Sequence, residues 1–145
     1  MSSFTSPLIV QAVRPGVTGW RRRLPPGLQR PAWEVIGGFR YAVGSLDAPS
    51  ELIEVPEGFT FDGASVPLLL RLLFPMAHPD YIQAAALHDY MLDIGRWPRR
   101  HCDAVFGEAL TVLDVAEPWR TALWIGVRLG SAHARLVELI EGNLK

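Results

Sequence analysis

Between Ala84 and Asp93 the chain reads AAALHDYMLD, an alanine-rich stretch with a histidine and an acid side by side at its centre. The alanines favour a helix, and the apolar neighbours make it a core helix. A buried ion or imidazole is costly unless it is paired. His88 and Asp89 therefore mark either a hydrogen-bonded structural joint or the seat of some chemistry.

Working outward from this helix, the period stays helical on both sides. Pro79-Asp80 opens the helix, which runs to about Asp93 and is ended by Gly95. Upstream, Leu68–Phe74 is a short helical stretch closed by Pro75. Downstream, Pro98 opens a second helix that carries Cys102, Asp103, Phe106, Ala109, Leu110 and Leu113 on one face. Glu117-Pro118 opens a long last helix toward Glu141, with Gly142 suited to its C-terminal cap. Within that helix Ala122, Gly126, Gly130 and Ala134 recur every four residues as a ridge of small side chains. Interior glycines each cost about 1 kcal/mol relative to alanine. Close approach of another helix would offset that, either the Pro98–Leu113 helix of the same chain or a second subunit. No internal repeat, coiled coil or low-complexity tract stands out.

Before residue 68 the texture differs. Trp33 and Val35, then Phe39, Tyr41 and Val43, alternate with their neighbours around Gly37-Gly38. ELIEV (residues 51–55) and the Phe59–Phe61 pair give further short strands, and short connections point to an antiparallel meander. Arg14–Pro31 holds too many prolines and glycines for a regular element and reads as a loop. The expected class is α+β, a small N-terminal antiparallel sheet packed with three to four C-terminal helices. The organisation is a single domain over 1–145, with an extended segment and loop (1–32), a β meander (33–67) and a helical layer (68–145).

Composition narrows the function. With 145 residues, 49% of them hydrophobic, the chain has room for one core. A net charge of −1 and pI near 6.4 give no general electrostatic case for nucleic acid. Arg71, Arg128 and His133 interrupt the apolar runs, so no transmembrane segment is expected. The N-terminus lacks the basic start of a secretory signal, so the expectation is a chain made in a cytoplasm and without an export signal. A single cysteine, Cys102, leaves no internal disulfide.

Polar residues concentrate in three places. VPEGFTFDGASVP (55–67) sets Asp62 and Ser65 in a turn after a strand, His88 and Asp89 sit mid-helix with Tyr90 beside them, and Asp103 points inward from the next helix. Consecutive helical residues diverge by about 100°. One of His88 and Asp89 can therefore meet Asp103 while the other looks toward the Asp62 loop. Such a set suits a divalent cation, calcium or zinc, held by Asp62 and Asp89. It equally suits a general base, His88, oriented by Asp103. The structural alternatives weigh the same: Asp62 capping its turn, and His88 satisfied by Asp103 as a joint between helices.

These segments, with RRHCDAVFGEAL (99–110) and VRLG (127–130), resemble the domain of unknown function 1353 family, found largely in tailed bacteriophages and prophages. The resemblance covers roughly Trp33 to Gly130. Family members usually carry threonine before the aspartate, where this chain has Phe61. Asp62, Ser65, Pro67, His88, Asp89, Tyr90, Asp103 and Phe106 match. The resemblance implies a phage-encoded protein in the virion or its tail region, docking on other virion proteins, with homo-oligomerisation open. The His-Asp helix followed by an inward aspartate is also similar, locally, to the phospholipases A2. By that similarity His88 would activate water, Asp89 would hold calcium and Asp103 would orient the histidine. Two functions are thus expected: a virion or tail accessory protein whose polar cluster is structural, or a metal-assisted envelope hydrolase with His88 as base.

Overall fold

The structure is a computed structural model and describes residues 1–13, 32–61 and 78–143. The Arg14–Pro31 loop, the Asp62–Ser65 turn and the Leu68–Phe74 helix lie outside the described residues. The chain divides into two compact units, Met1–Ala64 and Ser65–Lys145. Strands occupy the first and helices the second, and the class is α+β.

Among the described residues the strand unit holds two three-stranded antiparallel sheets. β1 (Ser3–Phe4), β4 (Phe39–Val43) and β5 (Glu51–Val55) form one, in the order β1-β4-β5. β2 (Ile9–Val13), β3 (Ala32–Ile36) and β6 (Thr60–Phe61) form the other, in the order β2-β3-β6. This departs from the consecutive meander expected from the short connections. The Gly37-Gly38 turn does not fold β3 back onto β4; it carries the chain from one sheet to the other. Gly38 has φ +65°, and a Cβ there would stand 2.9 Å from the Val55 carbonyl oxygen, so only glycine fits.

Alternation gives each sheet its buried side. Along β5, Ile53 and Val55 are buried while Leu52 and Glu54 point outward. Tyr41 pairs with Ile53 and Phe39 with Val55 across the strands, and all four side chains are buried. Phe4 closes on Tyr41 with ring centroids 4.7 Å apart. On the outer side the cross-strand pair Arg40–Glu54 makes an ion pair of 3.0 Å. β2 spans a stretch expected only as an extended segment. It pairs residue for residue with β3, from Ile9 opposite Ile36 to Val13 opposite Ala32.

In the helical unit the described helices are α1 (Ile82–Ile94), α2 (Arg99–Val112) and α3 (Trp119–Asn143). α1 ends at Gly95 in the left-handed conformation, as its sequence anticipates. The His78 carbonyl accepts the Tyr81 and Ile82 amides at the start of α1. The short link through Pro98 makes α1 and α2 a helical hairpin, and α2 packs in turn on α3. Ala84, Ala86, Leu87, His88 and Met91 are all buried, so α1 is enclosed on more than one face. α3 begins where Glu117 accepts from the Thr121 hydroxyl at 2.7 Å and the Arg120 guanidinium at 2.8 Å. These two bonds hold the exposed Glu117 carboxyl below its usual range, the Thr121 bond contributing most. The helix continues through Gly142, so that glycine lies within the last turn rather than past it.

Candidate functional site

His88 occupies the middle of α1, and the hairpin brings it level with Asp103 of α2. The two side chains meet, His88 Nε2 to Asp103 Oδ1, at 3.0 Å, and both are almost completely buried, 2% and 1% exposed. A carboxylate only accepts hydrogen bonds, so an ionised Asp103 fixes the imidazole as its Nε2–H tautomer and leaves Nδ1 for any other task. The Phe106 ring, one turn beyond Asp103, packs against the imidazole at a centroid distance of 5.2 Å.

α3 contributes a third polar group. Arg128 Nη1 lies 3.6 Å from Asp103 Oδ2, an ion pair longer than a hydrogen bond. The Arg128 guanidinium is part-exposed and stacks over the Trp124 ring, 5.6 Å from its centroid. Imidazole, carboxylate and guanidinium thus run in a line through α1, α2 and α3. Neither Arg128 nor Trp124 stood among the expected site residues. The signal was available: an inward aspartate needs a cation, and Arg128 is the charge set in the otherwise apolar run from Thr121 to Ala132.

The other expected residues divide. Asp89 and Tyr90 are half-buried and have partners. Asp62 and Ser65 lie outside the described residues, so of the expected cluster of three carboxylates and a histidine the structure describes His88, Asp89 and Asp103. Among the described residues no group of three or more His, Cys, Asp or Glu converges to hold a metal ion. Cys102 is buried and directs its thiol toward the Trp97 carbonyl, at 3.9 Å. His78 is half-buried, stacked on Tyr81 at 5.5 Å. In the small-residue ridge Gly126 is buried with Leu123 and Val127, while Ala122 and Gly130 are half-buried. The Ala134 side chain lies outside the described set. An open groove of about 440 Å³ belongs to the strand unit, at the Gly37-Gly38 turn with Thr5, Arg40 and Glu57, and includes none of the residues of the polar line.

A family model described as "Protein of unknown function (DUF1353)" matches residues 33–127, well over half of the chain. The chain belongs to the DUF1353 family. The match includes His88, Asp89 and Asp103 and reaches into α3 as far as Val127, ending just before Arg128. As a DUF1353 member the chain carries its buried imidazole–carboxylate pair inside the family region, while the C-terminal half of α3 lies beyond it. No curated protein and no solved structure matches the chain. No helix among the described residues is long and apolar enough to cross a membrane.

Proposed function

We propose that this DUF1353 protein is an accessory component of a bacteriophage or prophage particle, in the virion or its tail region, that docks on other phage proteins. Its His88–Asp103 pair is a structural joint. The observation that carries this reading is the burial of both partners, 2% and 1% exposed. A general base must come within hydrogen-bond reach of the proton it takes. A sealed imidazole, bonded to a carboxylate and stacked on Phe106, serves to lock two helices instead. The phage context rests on the family resemblance. Purified particles analysed by quantitative mass spectrometry test it: a fixed copy number per particle is expected, and absence from particles overturns the virion assignment.

A second reading, a metal-assisted envelope hydrolase, is favoured by one feature. Asp103 engages Nε2, the orientation that would leave Nδ1 of His88 free to activate water. It predicts that His88→Asn folds normally yet abolishes activity in the phage.

A further inference from the structure

The two sheets of the strand unit share one register. Phe4 stands opposite Tyr41 in one and Ile9 opposite Ile36 in the other, five steps apart on both strands. Phe39 opposite Val55 and Glu34 opposite Thr60 are likewise five steps apart on both strands. One ladder is thus interrupted at the level of Gly37-Gly38. Counted along that register, Gly38 lies between Pro7 and Pro56. Proline has no amide hydrogen to give, so neither residue flanking Gly38 can donate to it. Among the described residues neither glycine makes a hydrogen bond through its amide or its carbonyl. Gly37 is exposed and Gly38 half-buried, and a Cβ on Gly37 would meet no heavy atom within 4 Å. The open groove of about 440 Å³ lies at this interruption. Its lining includes the cross-strand row Thr5–Arg40–Glu54, together with Pro56 and Glu57.

We infer that this groove binds a short extended peptide segment carrying a basic residue. Peptide groups left out of a ladder take their hydrogen bonds from water or from a ligand. Glycines in the middle of a sheet, with no side chain to hold a ligand off, let another backbone approach closely. The Gly37 and Gly38 units offer donors and acceptors together, and a second peptide offers the same pair in return. Charge selects the residue that comes with it. Arg40 is already neutralised by Glu54 at 3.0 Å. Among the described residues no cation pairs with Glu57, so the groove keeps one uncompensated carboxylate, which a guanidinium or ammonium group satisfies. Three strands side by side span about 10 Å, the length of roughly three residues of extended chain. The site belongs to the strand unit and does not depend on the virion assignment.

Amide NMR of the isotope-labelled full chain, titrated with acetyl-Ala-Arg-Ala-amide, tests this. Saturable shifts of the Gly37, Gly38 and Glu57 amides are expected. Acetyl-Ala-Glu-Ala-amide is expected to bind roughly tenfold more weakly, since an attraction is exchanged for a repulsion. Glu57→Gln is expected to remove most of that preference. Gly37→Asn supplies a second readout, because asparagine tolerates the left-handed backbone and its side chain enters the groove. That variant is expected to keep the wild-type spectrum elsewhere and to lose the peptide response. Absence of saturable shifts at these amides up to tens of millimolar peptide overturns the inference. Equal affinity for the two peptides overturns it too, as does undiminished binding by Gly37→Asn. A response of the same amides to tri-N-acetylchitotriose and not to the peptide also overturns it, and makes the groove a sugar site.

Discussion

Trp124 of α3 lies against Gly107 of α2 so closely that a Cβ on the glycine would stand 2.7 Å from the indole Cδ1 and 3.0 Å from Nε1. Glycine in a helix normally loses about 1 kcal/mol to alanine. Here Gly107→Ala is expected to reverse that sign and destabilise by about 1–2 kcal/mol, because the indole must shift. Urea melts of the variant, alone and with Trp124→Leu, check this. The second substitution should make Gly107→Ala neutral or favourable.

Arg128 connects this contact to the polar line. Ordinary surface ion pairs contribute about 0–1 kcal/mol, but the carboxylate that Arg128 faces is buried. Arg128→Gln should therefore cost more than a surface pair, about 1–2 kcal/mol. The cost should persist in molar salt better than that of Arg40→Gln, whose partner Glu54 is exposed. Thermal melts at low and high salt compare the two.

Tyr81 gives the helical unit an alkaline limit. Burial, reinforced by the neighbouring Asp80 carboxylate, pushes its phenol from the ordinary 10 up to about 12. A raised folded-state value means that its contribution is complete below about pH 10. It is lost as pH rises to about 12, because the unfolded chain releases the proton first. The loss is on the order of 2–3 kcal/mol. The wild-type stability minus that of Tyr81→Phe, measured by denaturant melts across this range, should fall accordingly and be flat below it.

Chelation separates the two functional readings. A structural joint predicts the same melting temperature in chelator and with calcium, magnesium, manganese or zinc. An ion bound only by the folded state, at a hundredfold its dissociation constant, adds about 2.7 kcal/mol. A shift of that size, abolished by Asp89→Asn, would establish a metal site and favour the hydrolase.

Much of this was legible because local signals mark helix ends. Gly95, Pro98 and Glu117-Pro118 bracket the described helices, and the Cys102–Leu110 periodicity already turns Asp103 inward toward the preceding helix. The β unit was less legible because its pairing is not local. Ile9–Val13 alternates weakly, its burial is slight, and its partner β3 begins at Ala32, beyond the Arg14–Pro31 loop. Gly37-Gly38 has the composition of a hairpin turn, and nothing in two glycines tells a turn within a sheet from a crossing between sheets. Arg128 was read only as a break in an apolar run, and its pairing with an aspartate on the preceding helix is not a local signal.

The central claim is that His88 and Asp103 hold each other for the sake of the fold. The direct measurement is a double-mutant cycle by denaturant unfolding, with His88→Leu, Asp103→Leu and both together. Breaking a buried pair from one side leaves an unpaired polar group and costs about 3–5 kcal/mol, while replacing both members by apolar groups is often neutral. The account predicts two severely destabilised single variants and a double variant that regains most of the loss. It also predicts that phage carrying the double variant remain infectious. Stable single variants, together with a stable double variant that abolishes infectivity, would contradict the account and make the pair catalytic.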